Sequence, residues 1–458
     1  MPFYSKVDLV KAIARLPRFG LLGMALLMVA GQARAQEPKQ EERPTGLPKK
    51  FNWTFNFDAG FGAFGFAHSL YTNARPDPSG DLSDNWLESF IKPAISADLK
   101  TGKSELYGKL SAVGERTFDA PPPIVGTEAS SFQVEDAYIG WRSGTALGLG
   151  ENALDLSFGR EQYKIGHGLL LWDGGGEGGS RGGFWSNARK AWQVAGVARL
   201  TIKHNKLEAF YLDRDEVPEA ESGTRLWGGN YELTLGSATT LGASYMHFIA
   251  DTVGPNAKPD RNGLNVYNAR VYTAPLKALP GLSFEAEYAK EQKGDVMSST
   301  AWNALGAYEF SKMAWKPKLS YRYAIFGGDD PTTAKNEGFD ALIPGFYDWG
   351  TWWQGEIAGE YFLSNSDLVS NQVRLHLTPS DAVGGGLIAY TFKFDKQPTG
   401  VTSKNIVSEL DAYTDWKMNS NFTVSFVAAV AHPEDAVKQA YNRTQNFVYG
   451  MIYIAYAY

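Results

Sequence analysis

Arg443 to Tyr458 (RTQNFVYGMIYIAYAY) closes the chain with sixteen residues, and no charge interrupts the last fifteen. Read with a period of two, Val448, Ile452, Ile454, Tyr456 and Tyr458 share one face. Phe447, Tyr449, Met451, Tyr453 and Ala455 share the other. That alternation predicts a strand, because successive side chains of a strand point to opposite faces. An aromatic last residue and an outward row of aromatic and aliphatic side chains suit the level where lipid tails meet headgroups. A buried strand of a soluble sandwich would carry the same pattern. The recurrence of the alternation along the rest of the chain decides between the two.

From Phe51 onward the sequence divides into segments of about ten alternating residues separated by turns. Leu87 to Leu99 and Leu106 to Ala112 make a hairpin around Thr101-Gly102-Lys103. Further pairs are Trp192 to Lys203 with Lys206 to Asp213, and Leu226 to Leu235 with Thr240 to Ile249. Tyr267 to Thr273 pairs with Leu282 to Glu291, and Trp302 to Phe310 with Leu319 to Ile325. The last pairs are Val369 to Leu377 with Leu387 to Phe394, and Leu410 to Trp416 with Phe422 to Val430. Phe51 to Gly65, Phe132 to Arg142, Leu154 to Tyr163 and the terminal strand bring the count to about 18, an even number as single-chain bacterial barrels require. The expectation is an all-β fold: one transmembrane antiparallel β-barrel. Short turns such as His204-Asn205 alternate with long connections such as Phe66 to Asp84, His167 to Arg189 and Gly328 to Gly350. The short ones are assigned to the periplasm and the long ones to the exterior.

Composition agrees. The chain has 458 residues, 14% of them aromatic and 21% charged, with a net charge of −6 and no cysteine. No apolar run after the first forty residues is long enough for a membrane helix. The charge argues against nucleic acid as a partner, and the lack of cysteine removes disulfides and thiolate chemistry. Lys6, Lys11, Arg15 and Arg18 precede an apolar run from Phe19 to Ala30, then Gly31 and Ala33-Arg34-Ala35. This order predicts a secretory signal peptide over residues 1–35, cleaved after Ala35. Residues 36–50, polar and rich in Lys and Pro, read as a flexible lead-in to a barrel over 51–458. The expected location is the outer membrane of a Gram-negative bacterium.

If apolar faces look outward, parity places Lys92, Lys109, Arg142, Arg199, Arg270, Arg322, Arg374 and Lys393 inside. Lys109, Arg199, Arg270, Arg322 and Arg374 lie about four to six residues from their short turns, so the strand rise and tilt put them near one level. The inward acids are Glu88, Asp98, Glu115, Asp136, Glu232, Glu285, Glu287, Glu291, Glu309, Glu409, Asp411 and Asp415. Two readings stand: a cationic constriction for anions, or mixed charges that neutralise one another across the lumen. The preference for Arg over Lys favours a carboxylate-bearing solute, because guanidinium grips a carboxylate two-pronged.

Asp173 to Gly183 (DGGGEGGSRGG) holds seven glycines. No Lys-Ser or Lys-Thr pair follows, so it reads as an external loop able to fold into the mouth, not a phosphate cradle. Phe339 to Trp353 is dense in aromatics and reads either as a short element capping the lumen or as an aromatic girdle at the outer headgroup level. The six histidines are scattered without HExxH spacing, and His68 beside Ser69 gives no nucleophile geometry. No catalytic residue, metal or cofactor is expected.

Several stretches resemble the alginate export family of outer-membrane porins. They are Gly159-Arg160-Glu161, Tyr321 to Pro331 (YRYAIFGGDDP) with Phe339-Asp340 and Pro344, and Ser408-Glu409-Leu410-Asp411 with Pro433. The resemblance implies an 18-stranded monomeric barrel with an Arg-rich constriction passing a polyuronate outward, helped by periplasmic export partners. It adds Arg160 to the lumen residues and places its other motif residues on Arg322, Glu409 and Asp411, which parity already turns inward. Parity, however, puts Arg160 with lipid-facing Leu154, Leu156 and Phe158 unless Gly159 permits a bulge, and Glu161 stands where the family usually has Gln. The function expected from these residues is a channel for an anionic polysaccharide or organic acids, with a broad-specificity uptake porin for small organic solutes as the alternative.

Overall fold

The computed structural model describes residues 51–70, 79–119, 128–273, 279–345 and 354–458. The expected signal peptide and lead-in lie outside these residues. The described residues form eighteen strands, in agreement with the count of about 18 read from the alternation. They begin with β1 (Phe51–Ala67), β2 (Asp84–Thr101), β3 (Ser104–Phe118), β4 (Glu128–Arg142), β5 (Leu154–Arg160) and β6 (Val194–Ile202). Next come β7 (Asn205–Asp213), β8 (Arg225–Leu235), β9 (Thr239–Ile249), β10 (Asn265–Thr273), β11 (Leu282–Lys293) and β12 (Met297–Glu309). The series ends with β13 (Lys318–Phe326), β14 (Leu368–Ser380), β15 (Val383–Lys393), β16 (Asn405–Lys417), β17 (Phe422–Pro433) and β18 (Phe447–Ala457).

Each strand pairs antiparallel with its sequence neighbours, and β18 pairs with β1 from Asp58↔Ala457 to Ala67↔Val448, so the sheet closes. Closure matters because an open edge in hydrocarbon would leave a row of N–H and C=O groups without partners. Leu110, Phe132, Ile139 and Phe158 stand on the outward rows with more than half of their surface exposed, as lipid-facing side chains do. The alternating inward positions Ser111, Glu115, Glu287, Ser320 and Arg322 are buried and polar. The expected alternation of lengths is broken in places: β11 and β12 meet through residues 294–296 at the end where the long loops lie, and residues 143–153 make a long connection between β4 and β5 at the end of the short turns.

Two backbone irregularities redirect side chains. Between β3 and β4 the register shifts, so that Leu110 faces Ala137 but Ala112 faces Val134. The extra residue is a β-bulge that turns both Glu135 and Asp136 inward, where they are 0% and 1% exposed. At Gly159, φ is +135°, and a side chain there would run into the carbonyl of Ala137. This turn ends β5 at Arg160, short of the Tyr163 read from the sequence.

The lumen is not uniformly wet. The inner row of the terminal strand, Phe447, Tyr449 and Met451, is at most 2% exposed. It joins Phe64, Phe66 and Trp86 in an aromatic cluster, with Phe64 stacked on Trp86 at 5.0 Å and Phe66 edge-on to Phe447 at 5.2 Å. Loop residues pack on it: Trp185 lies 5.2 Å from Phe64, and Tyr361 lies 5.6 Å from Phe66. The wall formed by β18, β1 and β2 is therefore the floor on which the long loops rest.

Candidate functional site in the barrel lumen

Loop backbone brought inside a barrel must find partners for its N–H groups. Here the wall carboxylates supply them. Glu88 accepts the N–H groups of Trp185 (3.0 and 2.9 Å) and Ser186 (2.8 Å), and Glu135 accepts those of Lys190 (2.7 Å) and Ala191 (3.1 Å). Glu409 accepts Ile357 and Ala358, both at 2.8 Å, and Asp411 accepts Glu356 at 3.2 Å. Glu291 accepts Asp340 at 2.9 Å. These bonds moor the β5–β6 loop and the β13–β14 loop to the wall. The two loops also bond to each other: Ile343 donates to Leu170 (3.1 Å), Trp172 to Ile343 (3.0 Å) and Gly345 to Gly168 (3.1 Å). The described part of the aromatic stretch supports the capping alternative, since Phe339, Leu342 and Ile343 are buried. Residues 346–353 of that stretch lie outside the described residues.

A knot of charge fixes the β5–β6 loop to the β7–β8 connection. Asp215 receives Arg160 (2.7 Å), Arg189 (2.7 Å) and Arg181 (3.0 Å). Burial alone would raise the carboxyl of Asp215, but the bond from Arg189 and the charges of Arg160 and Arg181 outweigh it and hold the group below the usual carboxylate range. Asp340 is likewise held down against burial by the bond and charge of Arg261. Asp173 shows the opposite balance: burial pushes it up to about 6 although Lys190 lies 3.4 Å away.

Most of the basic side chains expected to line the route are engaged by neighbouring acids. Lys92 pairs with Glu135 (3.1 Å), Lys109 with Asp136 (2.8 Å) and Arg199 with Glu208 (3.4 Å). Arg142 pairs with both Glu105 and Asp155 at 3.3 Å. Arg270, buried, pairs with Glu232 at 2.8 Å and also bonds Asn230 and Ser244. Arg322 is 1% exposed. The belt therefore exists as a set of inward residues, but its charge is largely neutralised between adjacent strands.

Three expectations change. Lys393 is exposed on the outward side of β15, with Leu387 and Ala389, while Ile388, Tyr390 and Phe392 point in. Glu409 and Asp411 do face inward, but their carboxylates are covered by the loop segment they moor and do not line open space. Arg160 escapes the lipid-facing parity because Gly159 turns the chain, so that Arg160 reaches Asp215 and the carbonyl of Glu135 at 3.2 Å.

The open space lies on the opposite wall. A cavity of about 610 Å³ is bounded by Ser283, Glu285, Leu305 and Ala307 of β11 and β12, and by Lys318, Ser320, Arg374 and His376 of β13 and β14. Lys164, His167 and Trp172 of the β5–β6 loop face it from across the lumen. Three permanent cations, Lys164, Lys318 and Arg374, meet one carboxylate, Glu285. His167 fixes the tip of the loop: its ring stacks on Tyr272 at 3.9 Å, its Nδ1 lies 3.2 Å from Glu285, and its backbone N–H donates to the Tyr272 hydroxyl. On the wall side Arg374 Nε donates to the Tyr413 hydroxyl at 2.7 Å. Of the inward residues read from the sequence, Arg374 and Glu285 border this cavity. Lys164, His167 and Trp172 were beyond a strand-parity argument because they sit on a loop.

No protein-family profile matches the chain, and no curated protein does. Solved structures do resemble it. OccAB2 of Acinetobacter baumannii is 14% identical, with 88% of this chain and 98% of that one covered and a TM-score of 0.56. The outer membrane protein OpdK of Pseudomonas aeruginosa is 12% identical, with 88% and 98% covered and a TM-score of 0.54. OccK7 (OpdD) of Pseudomonas aeruginosa is 11% identical, with 90% and 99% covered and a TM-score of 0.53. At this identity the likeness is one of fold, that of an outer-membrane barrel, and it does not single out the alginate export family. A sealed sheet with apolar rows outside and polar groups inside belongs in the outer membrane of a Gram-negative bacterium.

Proposed function

We propose that the chain is a diffusion channel for small organic solutes, with a preference for those bearing a carboxylate. The observation that carries this reading is the cationic cavity between the β5–β6 loop and the wall of β11 to β14. Cations lining a constriction with low-dielectric walls lower the barrier for anions, because field lines crowd into the wet path. Arg374 and Lys318 on the wall, with Lys164 on the loop, are placed to trade one another's hydration for contact with a passing carboxylate. Glu285 opposes this and keeps binding weak enough for release.

Passage of an alginate-like polyuronate, the function implied by the motif resemblance, is the weaker reading. A polyanion needs cations in file along the whole path, whereas Lys92, Lys109, Arg142, Arg199 and Arg270 are paired to acids. Arg160, Glu409 and Asp411, which carry part of the resemblance, hold loops in place. In liposome swelling the reading predicts faster entry of gluconate than of arabinose, with the advantage lost in Lys318→Ala/Arg374→Ala. Entry of oligouronates at rates equal to gluconate, or no gluconate preference, would sink it.

A further inference from the structure

The mooring of the β5–β6 loop contains one contact between like groups. Glu115 stands on the inner face of β3, 3% exposed, and Glu177 reaches it from the loop. Gly183 passes between them with φ +73°, and a Cβ there would sit 2.7 Å from Glu115 Oε1 and 2.8 Å from Glu177 Oε2. The Gly183 N–H donates to Thr117 Oγ1 at 2.7 Å, which holds the loop against β3. Among the described residues, both oxygens of Glu115 and Oε2 of Glu177 are shut off from solvent with no N–H or O–H donor within reach. Two bare carboxylates cannot share such a site, because Glu115 and the facing Oε2 of Glu177 lack a donor and the two groups repel each other. A proton held between them supplies the missing donor and removes the repulsion.

We propose that Glu115 and Glu177 form a proton-sharing clasp between wall and loop, which holds the β5–β6 loop in the lumen and lets it go when the proton is lost. This rests on the channel reading above and adds its regulation. The groups facing the clasp do not substitute for it. Glu88 on β2 is occupied by Trp86, Trp185 and Ser186, and Glu135 on β4 by Lys92, Lys190 and Ala191. Arg189 on the loop gives its backbone N–H to Glu177 Oε1 and its Nη2 to Asp215, so its charge is felt by Glu115 without a hydrogen bond to it. Tyr453 on β18 faces the pair and carries no charge at neutral pH. Burial, then the neighbouring Glu115, raise the Glu177 carboxyl well above its ordinary value.

The sign follows from where the proton is held more tightly. A carboxyl raised in the docked loop binds its proton there and releases it when the loop moves into water. Docking is thus favoured on the acidic side and weakened as pH rises through the raised value, so the channel widens as pH rises.

The test is bilayer conductance of the full-length protein between about pH 5 and about pH 9, a span that brackets a carboxyl raised from its ordinary range. Wild type is expected to step reversibly to higher conductance as pH rises. Glu177→Gln and Glu115→Gln each supply an amide donor to the remaining carboxylate, so both are expected to stay at the low level with the step lost. Heat-shifted gel mobility confirms that each variant forms the barrel. A flat wild-type profile, or a step unchanged in both variants, overturns the clasp. Ion preference, read from the reversal potential at each pH, reports separately on the channel reading and can fail or hold independently of the step.

Discussion

Asp215 is the residue on which the loop architecture depends most. Its carboxylate answers Arg160, Arg181 and Arg189 from two segments, and the latter two are almost fully buried. Removing one partner of a buried, hydrogen-bonded charge set costs about 3–5 kcal/mol, because the remaining charges stay desolvated. Asp215→Ala should therefore free the β5–β6 loop while leaving the barrel closed, seen as rapid external protease cleavage within residues 173–190 on intact cells. Cleavage no faster than wild type would count against the knot. The depressed carboxyl also fixes its pH behaviour: its contribution is present above the ordinary carboxylate pKa and is lost only as pH falls through the lowered one. Protease resistance at the knot should thus survive mild acid. The members of the knot were only partly legible beforehand. Asp215, Arg181 and Arg189 sit on loops, where period-two reasoning has no purchase, and the inward turn of Arg160 hinges on a single positive φ at Gly159.

At the scale of elements, alternation carried the strands because each must keep lipid on one side and the lumen on the other, whatever its neighbours do. It failed where the backbone adds or turns a residue. The bulge opposite Ser111 placed Glu135 inside beside Asp136. Parity failed also on β15, where the inward row is the apolar one, Ile388, Tyr390 and Phe392, so that an unbroken alternation leaves Lys393 outside with Leu387 and Ala389. The loops were the larger omission. Nothing in strand parity says that the inward acids of β2, β4, β11 and β16 serve as acceptors for loop amides instead of facing solutes. Glu409 illustrates the consequence. In Glu409→Ala two buried N–H groups, of Ile357 and Ala358, lose their acceptor, at about 1–3 kcal/mol for each orphaned group. Hydrogen exchange of residues 354–363 should accelerate strongly while β16 and β17 stay protected. Equal exchange in variant and wild type would show that another contact holds the segment. Gly159→Val is expected to be worse for the element, since the Val side chain would meet the Ala137 carbonyl and misdirect Arg160. Its signature would be a reduced yield of heat-modifiable barrel.

For the whole molecule, the eighteen-strand count and the closure of β18 on β1 define a bore, and the distribution of side chains decides which part of it is used. Aromatic rings and moored loops fill the side of β18, β1 and β2. The paired cations of β2 to β10 add little net field, and the wet cationic space lies against β11 to β14. This asymmetry was not legible in the sequence, because it depends on which loops fold in and which wall they leave bare. The most direct measurement is the reversal potential of single channels under a potassium chloride gradient at neutral pH. A potential on the chloride side, moved toward zero by Lys318→Ala/Arg374→Ala, is the predicted result. A potential on the potassium side, or one that ignores both substitutions, would contradict the account.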